Sequence, residues 1–315
     1  MAEPAPPADA TFVHPALFYH GPWEYLAGTT GFIRDGLAAG EPVVVAVPEP
    51  RLRLLRDALG DTAERVRLID MSIAGRNPGR IIAEVLCATA DAHPGQQVRI
   101  IGEPIWPGRS PTEYPACVQH EALINLAFAG RAVSILCPYD VAGLEPVVLA
   151  DAAATHPVLI QGGTTCASAE YAPERIIDTY NRPMPEPPHA TMFAFHAAGL
   201  RQARWLTAEH ARSAGVDPQR IGEVALVVAE LALNSVRHGG GAGVVRTWTE
   251  RDHFVCQVRD AGHLDDPLAG RRCRPGDQGH ASGHGLLVVN HFADLVRMHT
   301  QPNGSTIRAY FHLPN

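Results

Sequence analysis

From Phe12 onward, short and almost wholly apolar runs alternate with longer stretches in which apolar residues recur every three or four positions. The short runs predict strands over 16–19, 42–47, 66–69, 98–102, 133–137 and 156–160. The periodic stretches predict helices over 23–39, 50–59, 78–93, 112–129 and 144–154. Strands apolar on both faces belong to a parallel sheet covered by helices, and this alternation marks a doubly wound α/β domain. At 182–189 the chain reads Arg-Pro-Met-Pro-Glu-Pro-Pro-His, a stiff segment poor in amide donors. Beyond it the pattern becomes α+β, with strands over 192–195, 243–249, 253–260, 294–300 and 305–313. Helices are expected over 200–214, 218–238 and 285–292, with a loop over 261–282. The expected organisation is a disordered tail (1–10), an α/β domain (11–175), a Pro-rich linker (176–189) and a second domain (190–315).

One segment departs from simple amphipathic patterning. The run Val224-Ala-Leu-Val-Val-Ala-Glu-Leu-Ala-Leu-Asn-Ser-Val is apolar except for a sparse polar set. Glu230, Asn234 and His238 are spaced i, i+4, i+8 and form one stripe on a helix. A carboxylate and an amide sunk among apolar groups are costly unless something satisfies them. A hydrated metal ion carrying phosphates would do so and leave the carboxylate free to act as a base.

Composition narrows the field. At 315 residues the chain is long enough for two cores, and 46% hydrophobic with 19% charged residues is a globular balance. A net charge of −7 argues against direct nucleic-acid binding through phosphate neutralisation. Gly, Pro or charge interrupts every apolar run before membrane-spanning length, and the acidic, Pro-rich start lacks the features of a signal peptide, so a cytoplasmic location is expected. The 6 cysteines contain no C-x-x-C pair and read as buried reduced thiols. Every basic residue is arginine, which excludes a Schiff-base lysine and any lysine-bearing phosphate loop.

Four features then follow in order: Glu230-x-x-x-Asn234, Asp260-Ala-Gly262 at a strand end, Gly283-His284-Gly285 opening a helix, and Asn303-Gly-Ser-Thr306 leading into the last strand. Glycines opening a helix let backbone approach a polyphosphate, and the helix adds free amides and a positive dipole end. Asp260 can accept from an exocyclic amine such as that of adenine, and Gly262 keeps that wall thin. Asn234 offers an amide oxygen suited to Mg²⁺, and Glu230 a general base. Each motif alone is common; the ordered set is specific.

On these residues, 190–315 resembles the Bergerat-fold (GHKL) ATPases, the superfamily of gyrase, histidine kinases and MutL. Glu230 and Asn234 match its N box, Asp260 and Gly262 its first glycine box, Gly283 and Gly285 its second, and Thr306 the polar residue that helps hold adenine. His238, His284 and Leu286, beside these motifs, join the expected ATP contacts. The wording Asn234-Ser-Val-Arg-His238-Gly239 resembles the anti-sigma-factor serine kinases of the RsbW and SpoIIAB type. Two departures stand out: the first glycine box has Leu264 in place of its second glycine, and the second box has His284 where arginine is frequent. The loop holds Cys273 and His280 between His263 and His284, which reads either as a metal site or as a polar lid, without tight ligand spacing.

In the first domain, Glu103 and Trp106 follow a predicted strand, at the end where open α/β sheets bind ligands. His14 and His120 are further candidates; His120-Glu121 is not a zinc-protease motif, because position 124 is Ile. These four are either a ligand site or satisfied core groups. Residues 12–165 resemble the MEDS sensory domain through Leu17-Phe-Tyr19, Phe32-Ile-Arg-Asp-Gly36 and Glu103-Pro-Ile-Trp106. The resemblance implies a RecA/KaiC-like parallel-sheet core without a P-loop, followed by an α/β-sandwich ATPase domain.

The expected function is a regulator whose first domain senses a small molecule or protein. Its second domain binds ATP and Mg²⁺ through Asn234 and acts as a switch or serine/threonine kinase, with Glu230 as base. The expected partner is a sigma factor or an anti-sigma factor antagonist, and a homodimer is compatible with this reading. The alternatives are a non-catalytic module that sequesters its partner and a histidine-kinase-like protein acting on a separate acceptor.

Overall fold

The apolar runs of the first half form a seven-stranded sheet in the computed structural model, which describes residues 12–272 and 284–314. The expected tail, 1–10, lies outside the described residues. The chain divides into two units between Tyr180 and Asn181. Both are α/β, the first built on a mainly parallel sheet and the second on an antiparallel one.

The first unit runs β1 (Pro15–Tyr19), α1 (Gly21–Ala38), β2 (Val43–Val47), α2 (Glu49–Leu59), β3 (Arg67–Asp70) and α3 (Met71–Ala74). It continues through α4 (Pro78–Ile81), a π-helical turn (Ile82–Cys87) and α5 (Ala88–Asp91). Then come β4 (Val98–Gly102), α6 (Tyr114–Ala127), β5 (Val133–Asp140), α7 (Pro146–Thr155), β6 (Val158–Gln161), β7 (Thr164–Ala167) and α8 (Pro173–Tyr180). The strand order is β3-β2-β4-β5-β1-β6-β7, parallel except for β7. β2, Val-Val-Val-Ala-Val, is buried at every position, as a central strand covered on both faces must be. The sequence pattern misses β7 and α8. β7 is exposed throughout and has no apolar alternation to reveal it. α8 buries Ile176 against Val118, Ala122 and Ala154, so residues 176–180, expected in the linker, are helical.

The second unit runs β8 (Thr191–His196), α9 (Leu200–Ser213), α10 (Ile221–His238), β9 (Ala242–Glu250), β10 (His253–Asp260), α11 (His284–Phe292), β11 (Leu295–Gln301) and β12 (Gly304–His312). Its strands pair antiparallel in the order β11-β12-β10-β9-β8. One core joins Val224, Val227, Val228 and Leu231 of α10 to Phe254, Cys256 and Val258 of β10 and to Ala309 and Phe311 of β12. Arg220 locks the start of α10, donating to Asp294 Oδ2 at 2.5 Å and to the Phe292 carbonyl at 2.8 Å. The Pro-rich segment before β8 is bonded to this unit. Asn181 exchanges two hydrogen bonds with the Thr300 backbone, Glu186 pairs with Arg246, and the Pro185 carbonyl accepts from Arg308.

Candidate functional site

α10 forms because helix-favouring Ala, Leu and Glu surround an apolar stripe at helical spacing, and it ends at Gly239. Its polar stripe is less buried than the sequence suggests. Glu230 and Asn234 are half-buried and His238 is exposed, so the stripe lies at the rim of the core. What covers part of it is the start of α11. A Cβ added at Gly285 would sit 2.8 Å from Glu230 Oε2 and 3.3 Å from Asn234 Nδ2, so glycine is what lets this backbone approach the stripe. His284, exposed, and Leu286 flank it, and the first-turn amides of α11 have no acceptor within their own helix. The Leu286 side chain is buried in the core, which leaves its backbone as the part that can face a ligand. Gly283 lies outside the described residues.

Asp260 ends β10 beside the last turn of α10. Its Oδ2 accepts from Ser235 Oγ at 2.6 Å and its Oδ1 from the Gly262 amide at 2.9 Å. Each carboxylate oxygen keeps a further lone pair, so the group is oriented without being used up. Two glycines make this possible. A Cβ on Gly239 would lie 2.4 Å from Asp260 Cγ, and one on Gly262 would lie 2.6 Å from the His238 carbonyl. Thr306 is not part of this wall. Successive strand residues point to opposite faces, and Ile307, Ala309 and Phe311 pack on the helix side, which turns Thr306 away from it. Thr306 instead lines a small hollow with Pro183, Glu186, Arg259 and His299. The residue opposite Asp260 on the helix side is Ser305. Its hydroxyl donates to the Gly262 carbonyl at 2.9 Å and lies 2.8 Å from Thr300 Oγ1.

The loop after β10 is tied down as far as it is described. The Leu264 amide donates to Thr300 Oγ1 at 2.9 Å while its side chain packs on the core, so the missing glycine of the first box serves packing. Asn290 Nδ2 donates to the Gly270 carbonyl at 2.9 Å, fixing the 266–271 turn on α11. His263 contacts Thr300 Oγ1 and Asp265, at 3.1 and 3.2 Å. Cys273 and His280 lie outside the described residues.

The four candidates of the first unit separate. Glu103 follows β4 at the carboxyl end of the sheet and is 2% exposed. Tyr19 and Asp140 end β1 and β5 nearby, and Arg51 joins them at 2.9 and 3.3 Å while stacking over Tyr25. Burial, with Asp140 adding to it against Arg51, pushes the Glu103 carboxyl up to about 8. Trp106 lies under the Arg109 guanidinium, 3.9 Å from its ring centre. His120 is buried on α6. His14 belongs to a different group altogether, with Glu121, Cys137 and His156.

Family models match both halves of the chain. Residues 13–157 match the MEDS (methanogen/methylotroph, DcmR sensory) domain and residues 193–311 the histidine kinase-like ATPase domain. The chain thus joins a segment similar to MEDS domains to a segment similar to histidine kinase-like ATPase domains. Such an ATPase domain implies ATP binding. No curated protein matches the sequence. Among solved structures, the RsbU and RsbW domains of a Mycobacterium tuberculosis protein are 18% identical at a TM-score of 0.31, over 40% of this chain and 33% of that one. The match thus spans a third of that protein's chain. The SiaB–SiaC complex from Pseudomonas aeruginosa is 14% identical at 0.31, over 38% of this chain and 88% of that one. The Acinetobacter baumannii histidine kinase AdeS is 12% identical at 0.23, over 40% and 70%. Among the described residues, no helix is long and apolar enough to cross a membrane.

In the ATPase domain the residues that the motifs did not reveal are Ser235, Ser305 and Asn290. Ser235 directly follows Asn234 in the sequence, and strand alternation back from Ile307 selects Ser305. In the MEDS domain Arg51 and Asp140 gave no local signal, because only the sheet order brings α2 and β5 to Glu103.

Proposed function

We propose that the protein is an ATP- and Mg²⁺-dependent regulatory switch with serine/threonine kinase activity of the anti-sigma type, governed by the MEDS domain. The observation that carries this is the convergence on one rim of Glu230, Asn234 and the Gly285 backbone, with Asp260 oriented beside them by Ser235 and Gly262. Asp260 reads the adenine amine through its remaining lone pairs, and the amides opening α11 take phosphate oxygens. Asn234 supplies the hard oxygen that suits Mg²⁺, and a bound Mg²⁺ would neutralise phosphate charge. The half-buried Glu230 carboxylate accepts the proton of a partner hydroxyl as that oxygen attacks the γ-phosphorus of ATP, the bond to the bridging oxygen breaks and ADP leaves. The Asn234-Ser-Val-Arg-His238-Gly239 wording favours a sigma factor or anti-sigma factor antagonist as partner.

Calorimetric ATP titration with Mg²⁺ tests the site. Asn234→Ala and Asp260→Ala are each expected to weaken binding tenfold or more, about 1.5–3 kcal/mol for a hydrogen bond to a charged group. ATP binding by both variants equal to wild type sinks the assignment. Glu230→Ala is expected to keep binding and lose phosphotransfer. The packing of Leu264 into the core favours a second reading, in which the ATPase fold holds its partner without catalysis. Partner binding without phosphorylation by wild type would select that reading, whereas equal phosphorylation by wild type and Glu230→Ala would remove Glu230 as the base.

A further inference from the structure

Beneath α6, four side chains from four segments of the chain meet in a closed interior. His14 precedes β1, Glu121 lies on α6, Cys137 on β5, and His156 joins α7 to β6. All are at most 1% exposed, and one ligand-type atom from each lies within 4.8 Å of all the others. We propose that His14, Glu121, Cys137 and His156 form a binding site for one divalent transition-metal ion of the zinc class.

The hydrogen-bond pattern fixes how the two imidazoles face the centre. Asn125 Nδ2 donates to the Thr155 carbonyl at 2.8 Å and lies 3.2 and 3.3 Å from two further carbonyls, so its Oδ1 is the atom turned to His14 Nδ1, at 3.2 Å. An amide oxygen only accepts, so His14 Nδ1 carries a proton. His156 Nδ1 lies 2.8 Å from the Ala152 carbonyl and donates to it for the same reason. Both Nε2 atoms therefore point their lone pairs inward, each 3.3 Å from Glu121 Oε2. Metal-binding histidines are held by such contacts on the opposite nitrogen.

Left empty, this centre would set lone pairs against a carboxylate. Neither Glu121 oxygen nor His156 Nε2 makes a hydrogen bond, although all are buried. A divalent cation resolves the conflict, because two neutral imidazoles, one carboxylate and one thiolate balance its charge within the interior. The spacing fits as well. Around a tetrahedral ion bonded at about 2.0–2.1 Å to nitrogen or oxygen and about 2.3 Å to sulfur, neighbouring ligand atoms lie about 3.3–3.6 Å apart. The two Nε2–Oε2 distances are 3.3 Å, and Cys137 Sγ lies 3.5 Å from His14 Nε2. Four protein ligands and no exposure describe a closed, non-catalytic site that pins α6 to the strands.

The test uses the full chain, expressed with zinc and purified without chelator. Elemental analysis after gel filtration is expected to find about one zinc per chain. Stripped protein titrated with Co²⁺ is expected to show intense tetrahedral bands and a thiolate-to-cobalt charge-transfer band. Cys137→Ser should lose the thiolate band, and Glu121→Gln should bind cobalt at least tenfold more weakly. Far-UV circular dichroism and a cooperative melting transition of the first unit serve as the folding control for each variant. Folded wild type with no stoichiometric zinc and no cobalt spectrum overturns the proposal. So does a cobalt spectrum unchanged in both variants, which would place the ion elsewhere.

Discussion

Glu103 shows what a single buried carboxyl imposes. Its folded-state value of about 8 lies above the ordinary 4.5, with burial as the main cause. The folded chain therefore keeps a proton that the unfolded chain releases across that interval. Its contribution to stability is complete below about pH 4.5, declines as pH rises, and levels off above about 8. Arg51, Asp140 and Tyr25 are the groups that face it. Glu103→Gln is expected to flatten this dependence and to leave the chain more stable than wild type near pH 9, by up to about 5 kcal/mol. Calorimetric melting of both proteins at about pH 5 and about pH 9 checks this; equal slopes would exclude Glu103 as the source. Glu103 was visible in the sequence as a polar residue at a strand end. Its protonation was not, because Arg51 and Asp140 reach it only through the folded sheet.

At the scale of elements, the approach of α11 to α10 depends on Gly285. A methyl there meets the mobile end of the Glu230 side chain, not backbone, so the carboxylate shifts and the fold survives. Replacing helical glycine by alanine also favours the helix by about 0.5–1 kcal/mol. Gly285→Ala is thus expected to melt no lower than wild type while losing at least tenfold in phosphotransfer; lowered stability with unchanged activity would contradict the assigned contact. The strands and helices bearing the site were legible from periodicity, to within a few residues at each end. The side of the sheet occupied by Thr306 is not legible from the motif. One step along a strand reverses direction, and the neighbouring Ser305 is the residue aligned with Asp260. β7 and α8 escaped for a different reason: the first is exposed throughout, and the second commits little apolar surface to the core.

For the whole molecule, each unit has its own hydrophobic core, and residues 181–186 belong by their bonds to the second. A fragment beginning at Asn181 is therefore expected to fold and to bind ATP as tightly as the full chain. A fragment beginning at Thr191 should melt several degrees lower, because it lacks the Asn181 pair on β11 and the Glu186 contact with Arg246. Differential scanning calorimetry of the two fragments distinguishes these outcomes, and equal melting temperatures would show the segment to be a passive connector. The composition change at 182–189 announced a boundary, but it could not say which side the segment would join. That depends on Arg246, Arg308 and Thr300, which are remote in sequence.

The same bonded segment bears on digestion. Trypsin, with no lysine to cut after in this chain, would ordinarily favour an arginine between two units, and Arg182 occupies that position. Pro183 follows it and blocks the bond chemically, while the neighbouring Asn181, Pro185 and Glu186 hold the strand against the sheet. The stretch that looks most like a hinge in the sequence is thus protected, and the two halves should leave a brief protease treatment still joined.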